Sequence, residues 1–318
     1  MSITASNPAT QTSLTHTVPC EYVHKSAQSE VLLTGWSPAG PDRHRITARW
    51  PLAHPFYAPA GGFHDPMLVA ESVRQCVPLL SHVAYDVPFG HRQVWSRFRY
   101  EIDPAALATS DAPAEVEMRV TCPKVTRRAG RLVSVDMHVD LSLDNRPLGT
   151  AFTRFADLSP AVYPRLRGPY ADIDEAYRRT IPLAPPTAPA SVTRTGFTDV
   201  VLSPTNSPTL HQLRVDLTHP ALFDHPVDHV PGMLLLEAAR QATHAQTHPQ
   251  PVIATAMEAE FAQYVELDAP CWIHVGPPGE ESGRDGDGPG AAPVRVMAVQ
   301  NEACAFTATV TPTAVSGA

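Results

Sequence analysis

The amino-acid sequence predicts an α+β protein in which one unit, a long helix wrapped by an antiparallel sheet, occurs twice. Three observations carry this prediction. A helical segment with an uncommon polar pattern recurs at a fixed distance, apolar residues around it alternate with polar ones as in half-buried strands, and a proline-rich stretch separates the two occurrences. Length agrees, because 318 residues exceed the size of one typical domain, about 150 residues.

The recurrence is specific. Met67-Leu68-Val69-Ala70-Glu71-Ser72-Val73-Arg74-Gln75 lies on Met233-Leu234-Leu235-Leu236-Glu237-Ala238-Ala239-Arg240-Gln241 at a constant offset of 166, with five of nine positions identical. Glu, Arg and Gln are among the identities, and a shared need for apolar packing does not explain them. Ala151-Phe152-Thr153 recurs as Ala305-Phe306-Thr307, and His54-Pro55 as His219-Pro220, in the same order. Duplication of one unit is the simplest account.

Taken in order, residues 1–19 are polar, lack a basic start and an apolar run, and read as a loose tail and not a signal peptide. The first unit spans residues 20–159. Gly61-Gly62 reads as a turn, and Asp65-Pro66 supplies an N-cap with proline at the first helical position. Pro78 is expected to stop that helix. Residues 94–102 and 133–143 alternate as strands, and Asp144-Asn145-Arg146-Pro147 turns the chain into a further strand over 148–155. Residues 160–190 hold seven prolines around Asp172-Ile173-Asp174-Glu175 and read as a semi-rigid linker lying over the surface. The second unit covers residues 191–318. Pro231-Gly232 opens its helix and Pro249 closes it, and residues 259–275 and 294–310 repeat the strand pattern. Between them, residues 276–293 are glycine, proline and acid with almost nothing to bury, which predicts an exposed hairpin tip.

Composition narrows the function classes. The formal net charge of −8 argues against a polyanion as the main partner, although a local basic patch stays open. No apolar run approaches the roughly 18 residues that span a bilayer. Five scattered cysteines without a C-x-x-C pair read as reduced core thiols, so a cytoplasmic protein is expected, with neither disulfides nor zinc. The chain holds 34 prolines, about twice the usual share, and they sort into helix starts, helix stops and the linker.

Glu71, Arg74 and Gln75 stand at i, i+3 and i+4, as do Glu237, Arg240 and Gln241, so each trio shares one helical face. On a surface such a pair would be an ordinary ion pair worth roughly 0.3 kcal/mol. Glu237, however, lies between Met233-Leu234-Leu235-Leu236 and Ala238-Ala239, on a helix apolar nearly all round, and a carboxylate buried there needs partners. The trios are therefore candidates for a functional polar site, with a structural buried ion pair as the competing reading. His225/His229 and His244/His248 have the i,i+4 spacing of metal ligands. Pro226 and Asp228 put the first pair in a loop, the second falls at a helix end, and no third ligand stands at a recognisable spacing, so no metal is expected. The sequence holds no G-x-G-x-x-G, P-loop or G-x-S-x-G motif, and no cofactor is expected.

These residues resemble the A-factor synthase (AfsA-like) family of γ-butyrolactone biosynthesis proteins, which carry two hotdog repeats in one chain. Tyr22-Val23-His24-Lys25 with Glu30-Val31-Leu32-Leu33-Thr34-Gly35-Trp36 is similar to the family's opening. His64-Asp65-Pro66-Met67 through Gln75 is similar to its first helix, and Asp224-His225-Pro226 through Asp228-His229-Val230-Pro231-Gly232-Met233 and on to Gln241 resembles its second. The resemblance implies a tandem double hotdog. It implies transfer of a β-ketoacyl group from acyl carrier protein to the hydroxyl of dihydroxyacetone phosphate, followed by ring closure to a butenolide or furan phosphate. On that reading Glu71 or Glu237 is the general base, Arg240 or Arg74 binds phosphate or the oxyanion, and Gln75 or Gln241 donates to the carbonyl. The two hotdogs are expected to pair within one chain, whether monomer or homodimer. Other acyl-thioester chemistry of the same fold, dehydration or hydrolysis, stays open, as does a non-catalytic acyl-binding module. The hotdog dehydratase histidine would fall at Tyr57 or Phe223 here, which weakens dehydration, although a shifted loop could supply His54 or His225 instead.

Overall fold

A computed structural model of the chain describes residues 14–15, 18–276 and 292–315. Residues 277–291 of the expected hairpin tip over 276–293 and most of the expected tail lie outside the described residues. The first half comprises strands Leu14–Thr15 (β1), Leu33–Gly40 (β2), Arg43–Trp50 (β3), Arg92–Ile102 (β4), Ala114–Arg128 (β5), Arg131–Leu143 (β6) and Arg146–Leu158 (β7), with helix Met67–Val83 (α1) after β3. Two short helices, Tyr163–Arg167 (α2) and Ile173–Arg178 (α3), follow. The second half comprises Leu202–Pro204 (β8), Leu210–Leu213 (β9), helix Gly232–Thr247 (α4), Val252–Phe261 (β10), Cys271–Gly276 (β11), Val294–Gln300 (β12) and Ala303–Ala314 (β13).

All strands join one antiparallel sheet of order β1-β2-β3-β5-β6-β7-β4-β10-β13-β12-β11-β9-β8. Apart from β1, the order is a mirror image about the β4–β10 seam, as two copies of one unit related by a twofold would give. At the seam Tyr100 faces Met257 and Phe98 faces Ala259, and the Tyr100 hydroxyl donates to the Ala254 carbonyl at 2.9 Å. One chain thus supplies both units of a double hotdog, each central helix packed on its own half of the sheet.

Burial explains the helices. In α1 all but a few residues are buried, Glu71 and Gln75 among them, and α4 is buried from Met233 to His244. Two boundaries differ from expectation. Pro78 lies inside α1; the ring removes one backbone donor, but continuing the helix buries Leu79 and Leu80 completely. Pro66 sits at the cap position, and Asp65 caps from one residue earlier, its Oδ1 accepting from the Met67 amide at 2.9 Å. Gly61 and Gly62 adopt φ of 58° and 81° in the turn before it, a region that glycine enters without strain. The linker is a third difference. Its Tyr163 and Arg167 side chains are buried against the second half instead of lying over the surface. All five cysteines are free. Among the described residues no helix is long and apolar enough to cross a membrane.

Candidate active site

Each trio forms the ion-pair lattice its spacing predicts. Arg74 holds Glu71 in a fork, Nε at 3.1 and 3.0 Å from the two carboxylate oxygens and Nη2 at 2.9 Å from Oε1. In the second half Arg240 Nε and Nη2 each lie 2.8 Å from Glu237. A third member, separated in sequence, completes each lattice. Lys25 Nζ lies 3.2 Å from Glu71 Oε1, and Arg194 Nη2 lies 2.8 Å from Glu237 Oε1. Both follow a one-turn 3-10 helix and a residue in the left-handed region, His24 at φ 51° and Thr193 at φ 57°. Sequence reasoning missed this pair. Val23-His24-Lys25 against Val192-Thr193-Arg194 was the available signal.

Gln75 and Gln241 face elsewhere than a substrate. Gln75 Nε2 donates to the Glu30 carbonyl and to Glu71, both at 2.8 Å, while its oxygen accepts from the Leu32 amide at 2.9 Å. Gln241 does the same with Asp199, Glu237 and Val201. Both are wholly buried, so each glutamine ties its helix to the preceding loop and has no donor left for a substrate carbonyl, contrary to expectation.

The electrostatics are of one kind in both copies. Burial by itself raises the Glu71 carboxyl, but the charges of Arg74 and Lys25 and the hydrogen bonds from Arg74 and Gln75 outweigh it and hold the group below the ordinary carboxylate range. At Glu237 burial is outweighed by Arg194, Arg240 and Gln241, and the carboxyl falls to about 2. Carboxylates held this firmly in the ionised state are weak proton acceptors, which argues against the base role expected of them.

The two copies differ in access. A cavity of about 620 Å³ opens between the halves, with Lys25, Glu71 and Arg74 in its wall. It does not reach Glu237 or Arg240, which are enclosed at 0 % and 3 % exposure. Part of the lining is polar: besides Lys25 and Arg74 it includes Arg92, His24, His225 and His229. The lining also includes the apolar side chains of Trp95, Met233, Leu235 and Phe261. Burial, with His82 and Arg74 nearby, lowers the His24 imidazole to about 3, so it is neutral near pH 7.

His225 and His229 are each held by a carboxylate. His225 Nδ1 lies 2.8 Å from Asp224 Oδ1, and His229 Nδ1 lies 2.8 Å from Asp228 Oδ1. Burial raises both aspartates, but their hydrogen bonds and neighbouring cations lower them further, so both are ionised and the ring nitrogens are the donors. Sequence reasoning weighed these histidines as metal ligands, and His225 also as a dehydratase histidine on a shifted loop. The signal it passed over was the repeated Asp-His dipeptide. The positions expected for a dehydratase histidine hold Tyr57 and Phe223, both buried.

Fold and cavity define a two-unit hotdog protein with one open site between its halves and one closed copy. Its sequence matches the family model described as the A-factor biosynthesis hotdog domain over residues 6–158 and 178–316. The chain belongs to that family. It is 45 % identical over 264 residues to a 2-oxo-3-(phosphooxy)propyl 3-oxoalkanoate synthase of Streptomyces virginiae, covering 83 % of this chain and 88 % of the relative. A protein of the same description from Streptomyces coelicolor is 39 % identical over 306 residues, covering 94 % and 93 %. Among solved structures, a putative oleoyl thioesterase from Lactobacillus plantarum superimposes with a TM-score of 0.54 at 11 % identity, covering 87 % of this chain and 98 % of that one, a likeness of fold alone.

Proposed function

We propose that this chain transfers a β-ketoacyl group from acyl carrier protein to the hydroxyl of dihydroxyacetone phosphate. The relatives' description supports this, since 2-oxo-3-(phosphooxy)propyl 3-oxoalkanoate is the ester of those two partners. The observation that carries it is a cavity lined by both cationic and apolar side chains, which suits a phosphorylated acceptor and an acyl chain together. Arg92 makes no ion pair among the described residues, and with Arg74 it provides guanidinium donors for the phosphate. Glu71 is the fixed counter-charge that aims Arg74 and Lys25, and the acyl chain lies along Trp95, Met233 and Phe261.

In the reaction the acceptor's O–H proton leaves to a base as the oxygen attacks the thioester carbon. The tetrahedral oxyanion is stabilised by the nearby cations and collapses with rupture of the C–S bond, and the carrier thiolate takes up the proton. The product then carries an acidic CH₂ between two carbonyls, five ring atoms from its own ketone. Aldol closure with loss of water gives a butenolide phosphate. The copy at Glu237 and Arg240 is a closed ion-pair strut on this proposal.

Incubating the protein with a β-ketoacyl carrier and dihydroxyacetone phosphate, followed by mass spectrometry, tests the proposal. A phosphorylated ester that depends on both partners is expected. Release of the free β-keto acid at a rate indifferent to dihydroxyacetone phosphate would overturn it.

A further inference from the structure

Asp228, next to the cavity-lining His229, is a heavily braced carboxylate. It is 1 % exposed. Besides His229 it accepts from the Tyr163 hydroxyl at 2.6 Å and from Arg167 Nε at 3.1 Å, and Arg167 also donates to the Asp228 backbone carbonyl at 3.2 Å. Arg167 is itself fixed by Glu266, with Nη1 and Nη2 at 2.6 and 2.7 Å from its two oxygens, and by the face of Tyr264, whose ring centre lies 4.0 Å from the guanidinium carbon. Tyr163 and Arg167 both belong to the segment between the halves.

His229 extends from this brace into the cavity. Its ring stands edge-on to Tyr264 with centroids 4.7 Å apart, and its side chain is 26 % exposed. With Nδ1–H committed to Asp228, Nε2 holds the lone pair, and it has no hydrogen-bond partner among the described residues. This is the arrangement in which an imidazole takes a proton at one nitrogen while a buried carboxylate fixes the other.

The partners of their aspartates distinguish His229 from His225. Asp224, the partner of His225, lies 3.8 Å from Lys25 Nζ and belongs to the lattice in which Lys25 and Arg74 already balance Glu71 and Asp224. Around His229, Arg167 is shared by two carboxylates, Asp228 and Glu266. Arg92, across the Tyr163 ring at 5.6 Å, stays available to the phosphate.

We propose that His229 is the general base of the acyl transfer, oriented by Asp228 and, through it, by Tyr163 and Arg167 of the interdomain segment. The inference rests on the acyl-transfer reading above. His229 Nε2 takes the acceptor hydroxyl's proton as oxygen bonds to the thioester carbon, and returns it to the carrier sulfur as the C–S bond breaks. No oxidant, reductant or further reactant is consumed.

The test is His229→Gln and His229→Ala, each assayed for ester formation beside the wild type. The glutamine variant is expected to lose about 100-fold or more in kcat with KM for dihydroxyacetone phosphate within about threefold. Imidazole in the buffer is expected to restore part of the alanine variant's rate, a recovery that a purely structural histidine would not give, and one that keeps the test decisive should the glutamine variant melt early. Wild-type ester formation with the glutamine variant above a tenth of wild-type kcat, or an alanine variant deaf to imidazole, would overturn the assignment of His229 alone. A wild type that makes no ester removes the acyl-transfer reading and this inference with it.

Discussion

Lys25 and Arg194 occupy equivalent places in the two halves, and each bridges to the opposite half. Lys25 reaches Glu71 and, at 3.5 Å, the Ala221 carbonyl. Arg194 reaches Glu237 and, at 2.6 Å, the Phe56 carbonyl, with Asp65 Oδ2 at 3.1 Å. Only the Lys25 copy borders the cavity. The same buried cation therefore serves cohesion between the halves in one copy and borders the open site in the other.

That asymmetry predicts opposite phenotypes. Arg194→Met leaves Asp65 without its cation and Glu237 with one fewer in an enclosed place, and is expected to cost on the order of 3 kcal/mol in urea unfolding, with KM little changed among molecules still folded. Lys25→Met leaves Glu71 its Arg74 fork beside an open cavity. Its stability loss is expected to be less than half as large, and its KM for dihydroxyacetone phosphate to rise about tenfold. Equal stability losses would show that the two lattices carry the same structural load.

Acid stability is expected to fall in two stages. His244 is held neutral by burial and by Arg240, its ordinary value of 6.5 lowered to about 3, and His24 behaves alike. The unfolded chain thus binds more protons than the folded one below about pH 6.5, and stability declines from there toward pH 3. Glu237, lowered from 4.5 to about 2, adds stability that is complete above pH 4.5 and lost as pH falls through 2. Unfolding free energies measured from pH 7 to 3 should show His244→Gln flattening the slope between pH 6.5 and 4.5, where Glu237→Gln leaves it unchanged.

The fold was legible where chemistry is local. The trios at 71–75 and 237–241, the helices they mark and the β6–β7 hairpin follow from spacing within one element. Strands β2 and β3 did not follow. Gly35, Pro38 and Gly40 make β2 look like a turn, and the buried members of β3, His44, Ile46, Ala48 and Trp50, include a histidine that masks the alternation. Pro78 misled because local propensity was outweighed by the burial of Leu79 and Leu80. Both trios were legible from spacing, whereas Lys25, Arg194, Tyr163 and Arg167 reach their partners across folds of the chain that no window of sequence spans. The Asp-His dipeptides were visible, but only the cavity distinguishes an oriented base from a surface pair.

Gln75 gives a direct test of structure against substrate binding. Its amide makes three hydrogen bonds, none to the cavity. Gln75→Ala is expected to lower stability by about 1–3 kcal/mol, because the Leu32 amide and Glu30 carbonyl lose their partner inside the protein. The KM values of the folded fraction should stay within about twofold. A large rise in KM with an unchanged urea midpoint would return Gln75 to the substrate.

Gly232 sets the width of the apolar wall. A Cβ at this position would meet Phe261 Cε1 and Trp95 Cε3, each at 3.3 Å, closer than relaxed carbon contacts. Both rings border the cavity, so a larger residue pushes them toward the space assigned to the acyl chain. Its backbone φ lies outside the left-handed region, so a substitution acts through crowding and not backbone strain. Gly232→Val is therefore expected to discriminate by chain length. Rates with β-ketoacyl carriers of six carbons should fall no more than about threefold, while those with twelve carbons should fall tenfold or more, since each buried methylene displaced forfeits about 0.8 kcal/mol. A uniform loss across chain lengths would place the acyl chain along another wall, and an unchanged profile would mean that Trp95 and Phe261 do not touch it.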